Sequence, residues 1–363
     1  MMASAARSTI LVQAVPLRAF AAAILEAVGM TAEDASLAAD AMVWADLRGL
    51  EAHDVGTKLP QCVARIRAGG TDPRARLVPL GSRAAVAAFD GGTGWGQVAA
   101  SRGMRHAIGL ARESGIGVVS ICNVSSAAAM GHYAWLAAEA RMIGLAVTNG
   151  PALTAPWGGT RRVLGNQAHA IACSAGRYAP LVFDSATTLM STGEMDTLRE
   201  RGELLPEGVL FDAGGRPTRD PVAWLTGLLV PAGGHRGYGL ALMLEVLTGV
   251  IAGGERFAPN VGQPMDSGTP QGVSLILIAI DPRISMPIET FESRVRHLID
   301  QVHASPPAPG VARVFVPGER SAETAERRRL DGIPIPPAKV EAIRELGRSV
   351  GVDWPEGATV GDH

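Results

Sequence analysis

The sequence predicts an α+β fold, helical at both ends and strand-bearing in the middle, on three observations. Residues 16–68 carry three segments of helical period, and KVEAIRELGRSVGV (339–352) carries another. From Arg76 the period changes, and short apolar runs broken by Gly and Pro alternate with helical stretches. No GxGxxG and no GxxxxGKS/T occurs, and the glycine-rich GGTGWGQ (91–97) is wrongly spaced for either phosphate loop, so a Rossmann site is unsupported.

Taken in order, Leu17, Phe20, Ala21, Ile24, Leu25 and Val28 share a helical face that Gly29 stops. Thr31 followed by Asp34 is a capping-box-like start, with Asp in the Glu position, for a second helix to about Asp46. A polar elbow from Arg48 to Lys58 precedes a third helix, about Leu59 to Ala68, ended by Gly69-Gly70. RLVPL (76–80) and AAVAAFDGG (84–92) read as strands meeting at a tight connection and set a domain boundary near residue 75. Val98, Met104, Ile108 and Leu110 mark a helix, GIGVVSIC (115–122) a buried strand and MGHYAWLAAEARM (130–142) another helix.

MIGLAVT (142–148) and APLVFD (179–184) read as buried strands around a long loop, in which Pro151 and Pro156 fix φ while Gly158 and Gly159 permit positive φ. Such a loop suits close approach of backbone to a flat ligand, and equally a long surface turn anchored by Trp157. Residues 187–221 read as one helix, a Pro/Gly turn and a hairpin-like flap. GGHRGYGLALMLEVLTGVIAGG (233–254) is a glycine-rich turn entering an apolar helix whose first amides suit an anionic group. VSLILIAID (273–281) is a buried strand and FESRVRHLIDQVHAS (291–305) an amphipathic helix. The last helix returns to the first ones, so the termini share a domain.

Composition narrows the function. A chain of 363 residues exceeds a single core and suits two domains. With 33 basic against 35 acidic residues the net charge is −2, which favours neither nucleic acid nor an anionic membrane and leaves small-molecule work. Cys62, Cys122 and Cys173 are odd in number and widely spaced, arguing against a disulfide framework or structural zinc. No apolar run approaches the ~18–20 residues that span a bilayer, and MMASAARSTILVQAVPLRAF is too broken for a signal peptide, so the expected compartment is the cytoplasm.

The segments ADLRG (45–49) with His53, MIGLAVTN (142–149), APWGG (155–159), FDSAT (183–187), LPEG (205–208), GRPTRDP (215–221), GGHRGYGLAL (233–242), AIDP (279–282) and VPGE (316–319) before DGIPIPP occur in order along the chain. Together they resemble the type-2 malate/L-lactate dehydrogenase family, which includes ureidoglycolate, sulfolactate and diketogulonate dehydrogenases and cyclic ketimine reductases. The resemblance implies a non-Rossmann nicotinamide fold, with a helical domain from both chain ends (1–75 with 285–363) and a mixed-sheet cofactor domain (76–284). It also implies NAD or NADP as cofactor and a homodimer with active sites near the subunit interface. Where the family has Ser-His-Gly this chain has Ala52-His53-Asp54, and Thr57-Lys58 meets the position of a following Arg with one extra residue. Ser126 stands on a family histidine that serves as acid/base in several members, and Arg236 on a cofactor-contacting Lys.

These matches nominate the site. His53 is the proton donor that a histidine pKa near ~6.5 allows, or a surface or cap histidine. Asp184, at a strand end, suits orienting His53 or binding a ribose hydroxyl, and suits capping a following helix as well. Arg48 and Lys58 could clamp a substrate carboxylate, or be solvated charges. Ser126 and His132 complete the catalytic candidates, His132 as a replacement imidazole or a packed one. By resemblance the cofactor contacts are Thr154, Pro156, Trp157, Gly158, Gly159, Asp184, Ser185, Ala186, His235, Arg236, Pro317, Gly318 and Glu319, with no metal. The expected reaction is hydride transfer to or from a small 2-oxo or 2-hydroxy acid or a cyclic imine carboxylate. The alternative is a non-redox lyase, isomerase or regulatory protein on the same fold, because several expected site residues are replaced.

Overall fold

A computed structural model describes residues 9–360. The stretch read above for a leader begins in residues 1–8, outside the described residues. Strand β1 (Ile10–Val12) enters helix α1 (Ala14–Ala27), followed by α2 (Ala32–Arg48) and α3 (Val55–Arg67). Thr31 caps α2 by accepting from the Asp34 amide, and Gly49 ends that helix at φ 78. Leu17, Ile24 and Leu25 of α1 are fully buried against Ala38 and Met42 of α2 and Leu59 of α3, each contributing about 2 kcal/mol. The same core takes Ile333 and Ile335 of β11 (Ile333–Ile335) and Val340 and Ile343 of α10 (Pro337–Arg348) from the far end of the chain. β11 pairs antiparallel with β1, so the two ends are hydrogen-bonded as well as packed.

The middle of the chain builds a seven-stranded mixed sheet. Its strands are β2 (Val78–Arg83), β3 (Val86–Asp90), β4 (Ile116–Val124), β5 (Ile143–Thr148), β6 (His169–Ala175), β7 (Tyr178–Ser185) and β10 (Val273–Ile280), in the order β2-β3-β4-β10-β5-β6-β7. The pair β3–β4 is parallel and every other neighbour is antiparallel. A parallel pair needs a crossover, which α4 (Gly96–Ser114) supplies. β10 lies at the centre, and its unbroken VSLILIAI is what a strand covered on both faces requires. On one face, Met104 and Ala107 of α4 and Tyr133, Ala134 and Ala137 of α5 (Met130–Glu139) pack on Val119, Ile121, Leu275 and Leu277. On the other, Leu244 of α7 (His235–Glu245) meets Val147 and Ile276. The expected α+β fold is found, with ten α-helices among the described residues.

Local boundaries differ from the sequence reading. The elbow is shorter, because Asp54 caps α3 by accepting from the Thr57 amide and draws residues 55–58 into the helix. The loop between the two apolar strands itself contains β6, whose HAIACSA alternates too weakly to stand out. The helix of the flap, α6 (Thr192–Glu200), starts after Ser191 and Glu194 close a capping box, rather than directly after Asp184. Between them and α7 runs a short ribbon, β8 (Leu210–Phe211) with β9 (Leu228–Leu229). Beyond α8 (Ile288–His303), the unforeseen α9 (Glu319–Asp331) is nearly all polar, with Ala325 its one buried residue among those described.

Candidate active site

The ends of β7 and α5 meet. The Gly131 amide, in the first turn of α5, donates to Asp184 Oδ2 at 2.8 Å. A Cβ on residue 131 would lie 2.7 Å from that oxygen, so glycine is what permits the contact. Asp184 is accessible to water, yet protein crowds it enough that desolvation raises its pKa to about 6 against the Gly131 hydrogen bond. A crowded but accessible carboxylate marks a recess. Before α5, the Tyr133 hydroxyl donates to the Ala127 carbonyl at 2.5 Å. Ser126 donates its amide to Gln271 Oε1 at 3.0 Å, and its hydroxyl accepts from the Ala128 amide at 3.4 Å.

His132 is buried one residue on. Its ring lies edge-on to Trp44 at 5.5 Å and stacked on Trp135 at 6.1 Å. Burial, and then the charges of Arg105 and Arg48, push it down to about 3. The Arg48 guanidinium lies 4.5 Å from the Trp44 ring and donates to Ser321 Oγ at 3.3 Å, so its position is fixed from two sides. Burial lowers it to about 10.

His53 follows α2 in the short elbow, its amide bonded to the Leu50 carbonyl at 2.8 Å. Its Nδ1 is buried without a partner, and burial followed by the Lys58 charge holds it at about 3. Asp54 does not pair with it, being taken up by the Thr57 amide at 2.7 Å and by Lys339 Nζ at 2.9 Å. Lys58 donates to Gln61 Oε1 at 3.0 Å, and burial lowers it to about 8. The flap helix closes on this elbow: a Cβ on Gly193 would come within 2.4 Å of Ala52 Cβ. The structure therefore forms two groups, His53 with Lys58 and Asp184 with His132 and Arg48. Among the described residues no hydrogen bond joins them; they share α2, which carries Trp44 and Arg48 and leads into the elbow.

The cofactor candidates gather around the end of β7. Thr154 is buried and donates to the Leu164 carbonyl at 3.1 Å, and the Gly159 amide closes a turn on Pro156 O at 2.7 Å with Gly158 at φ 83. Trp157, 59% exposed, lies over Gly234 and 6.2 Å from the His235 ring. Thr187 accepts from the Ala232 amide at 2.9 Å, and Thr188 bridges Pro231, which ties the approach to α7 to the end of β7. Ser185 donates to the Ala186 carbonyl at 3.2 Å. Arg236, in the first turn of α7, has no ion pair among the described residues. Pro317 O accepts from the Val182 amide at 3.2 Å, and Gly318 caps α9 so close to β7 that a Cβ would lie 2.8 Å from Val182 O. Glu319 accepts from the Val316 amide and from His303 Nε2, each at 2.9 Å.

Sequence reasoning missed Gly131, Trp44 and Gln271. A glycine in a helix's first turn was the available signal for the first; Trp44 and Gln271 carried none, since their contacts come from distant segments.

A family model described as malate/L-lactate dehydrogenase matches residues 12–344. Malate dehydrogenase of Pyrococcus abyssi is 34% identical over 344 residues, covering 93% of this chain and 94% of the relative. Ureidoglycolate dehydrogenase (NAD(+)) of Escherichia coli K12 is 32% identical over 310 residues, covering 85% and 87%. The structure of sulfolactate dehydrogenase from Methanocaldococcus jannaschii superimposes with a TM-score of 0.87 at 31% identity, over 95% of this chain and 98% of that one.

Proposed function

The chain belongs to the malate/L-lactate dehydrogenase family and is an oxidoreductase of that family; from that premise we propose a hydride transfer between a nicotinamide cofactor and a small 2-oxo or 2-hydroxy acid, or a cyclic imine carboxylate. The observation that carries this reading is the convergence of the Trp157 turn, the first turn of α7 and the residues after β7. The set fits a dinucleotide. Gly234 leaves room for the Trp157 ring, which a Cβ would meet at 3.0 Å, and that exposed ring offers a flat face. The first amides of α7 with Arg236 suit an anionic phosphate or a carboxamide oxygen, and Pro317–Glu319 with Ser185 and Ala186 complete the contacts. When bound, the nicotinamide supplies or accepts the hydride.

The chain's own residues then bind and protonate the substrate. Lys58 or Arg48 grips the carboxylate, Arg as a fork and Lys as a point charge. His53, the family histidine retained here, delivers the proton, while Asp184, Ser126 and His132 line the recess of the second group, which α2 joins to the elbow. The same reading divides the chain into a helical unit (1–75 with 285–363) and a sheet unit (76–284), and makes it a cytoplasmic homodimer with no nucleic-acid or membrane partner. No helix among the described residues is long and apolar enough to cross a membrane.

The test is a substrate panel. Consumption of NADH and of NADPH is followed at several pH values against pyruvate-like, dicarboxylic and cyclic imine carboxylate substrates, beside fluorescence titration of each cofactor. Turnover with one class is the expected result. No turnover with any class, together with no cofactor binding, would overturn the reading.

A further inference from the structure

The recess occupies one end of α5, and a second cleft of about 600 Å³ opens at the other. It lies between the last turn of α5, the turn joining β6 to β7, and α8. β7 starts there at Tyr178 and ends beside the recess at Asp184, so about 20 Å of strand separate the two.

Arg141, Arg177 and Arg296 line this cleft. Arg141 is fully engaged: its Nε and Nη2 donate to the two carboxylate oxygens of Glu292 at 2.9 and 2.8 Å. Ser174 adds a third hydrogen bond to that carboxylate at 2.6 Å, and Glu292 is only 6% exposed, so its acceptors face Arg141 and Ser174. These bonds, that of Arg141 first, hold Glu292 down at about 2. The i,i+4 spacing on α8 would ordinarily pair Arg296 with Glu292. Arg296 turns across Gly176 instead, at φ 64, where a Cβ would meet its Nη1 at 2.2 Å. Arg177 lies over the Tyr178 ring at 5.5 Å, and the Tyr178 hydroxyl is occupied by Asp300 at 2.9 Å.

Among the described residues neither Arg177 nor Arg296 has an ion pair. The carbonyl end of α5 favours a nearby cation, which accounts for Arg141 alone. Arg177 sits on the hairpin turn and Arg296 on α8, and Glu139 is the one further carboxylate lining the cleft. The Arg141–Glu292 pair leaves the floor neutral, so the guanidinium forks of Arg177 and Arg296 above it carry the cleft's charge and match the oxygens of a phosphate. We propose that this cleft binds a small multiply charged oxyanion, a phosphate or phosphate ester, at a site separate from the redox recess.

Calorimetric titration of the full chain with inorganic phosphate, against chloride at equal ionic strength, tests it. Saturable binding in the millimolar range is expected, weakened about tenfold or more for each guanidinium removed in Arg177→Ala/Arg296→Ala. Arg177→Lys/Arg296→Lys keeps the charge without the fork and should bind at an intermediate level. The circular dichroism spectrum and urea midpoint should be the same in wild type and both variants, which shows that the fold is kept by readouts that do not depend on the redox reading. No saturable uptake by the wild type overturns the proposal, as does equal uptake by the alanine variant, or loss of uptake in Arg236→Ala.

Discussion

His53 is neutral in the elbow after α2, because burial and then the Lys58 ammonium hold it near 3. An anionic substrate reverses the second cause: its carboxylate offsets Lys58 and attracts a proton to the imidazole. Burial, the larger cause, remains, so binding of a substrate-like carboxylate should raise the pH at which His53 takes up a proton, seen as a buffer-dependent binding heat that grows as pH falls and that His53→Asn abolishes. The same variant should keep cofactor affinity while turnover falls by ~10²–10⁴-fold; full activity would remove His53 from the mechanism. Stability carries a related signature. His53 and His132 both sit near 3 when folded, below the ordinary 6.5, so unfolding takes up protons between those values and stability is lost as pH falls through 6.5. Asp184, raised from 3.8 to about 6, acts in the opposite sense, favouring the folded state as pH falls through that window, and offsets part of the loss. Burial raises Asp46 as well, in the same sense as Asp184, so the histidine share is read by difference: His132→Phe should make the change of the urea midpoint between pH 6.5 and 4 less unfavourable to the fold at low pH than in wild type. An unchanged slope would mean that His132 is not held neutral by its burial.

At the scale of elements, two turns of glycine position the cofactor segments. Gly234 has φ 66 and ψ −126, a region that other residues scarcely enter, and its missing Cβ is what lets Trp157 close down on α7. Gly234→Ala should weaken cofactor binding while leaving the circular dichroism of the fold intact, as fluorescence titration would reveal; unaltered affinity would place the cofactor elsewhere. Elements like α7 were legible in the sequence because a glycine pair precedes a long apolar run. The strand β10 was legible for the same kind of reason, being apolar throughout. By contrast α9 buries only Ala325 among its described residues and is held by polar contacts, through Gly318 on β7 and Arg48 on Ser321 at its start and Arg328 on the Asp46 carbonyl near its end, so no hydrophobic period announces it. β1 and β11 are three residues each and exist through pairing with one another across the whole chain. The site followed the same rule. His53, Asp184 and Arg236 stood out as chemistry at punctuated places, whereas the buried contact of His132 with Trp44 and the capture of Asp54 by Lys339 depend on packing between segments that the sequence does not place side by side.

The molecule as a whole leaves one helix unfinished. Ala241, Leu244, Glu245 and Thr248 turn inward from α7 and the π-turn that continues it over Val246–Val250. Leu240, Met243, Leu247, Val250 and Ile251 recur on a helical period along another face and remain exposed, Met243 by 57% and Ile251 by 62%. A helix that is apolar on both faces belongs in an interior, and a stripe of this kind on an isolated chain marks an association surface. A stable pairing needs about 800 Å² from each partner, more than one helix offers, so neighbouring surface must join the interface. Pairing through a two-fold would let the stripe cover itself. Light scattering at micromolar concentration should give twice 37.7 kDa for the wild type. Met243→Glu/Leu247→Glu, which places four carboxylates across such a two-fold, should give the mass of one chain while keeping the circular dichroism of the fold. A wild-type mass of 37.7 kDa would sink the homodimer, and an intact dimer in the double variant would move its interface away from α7.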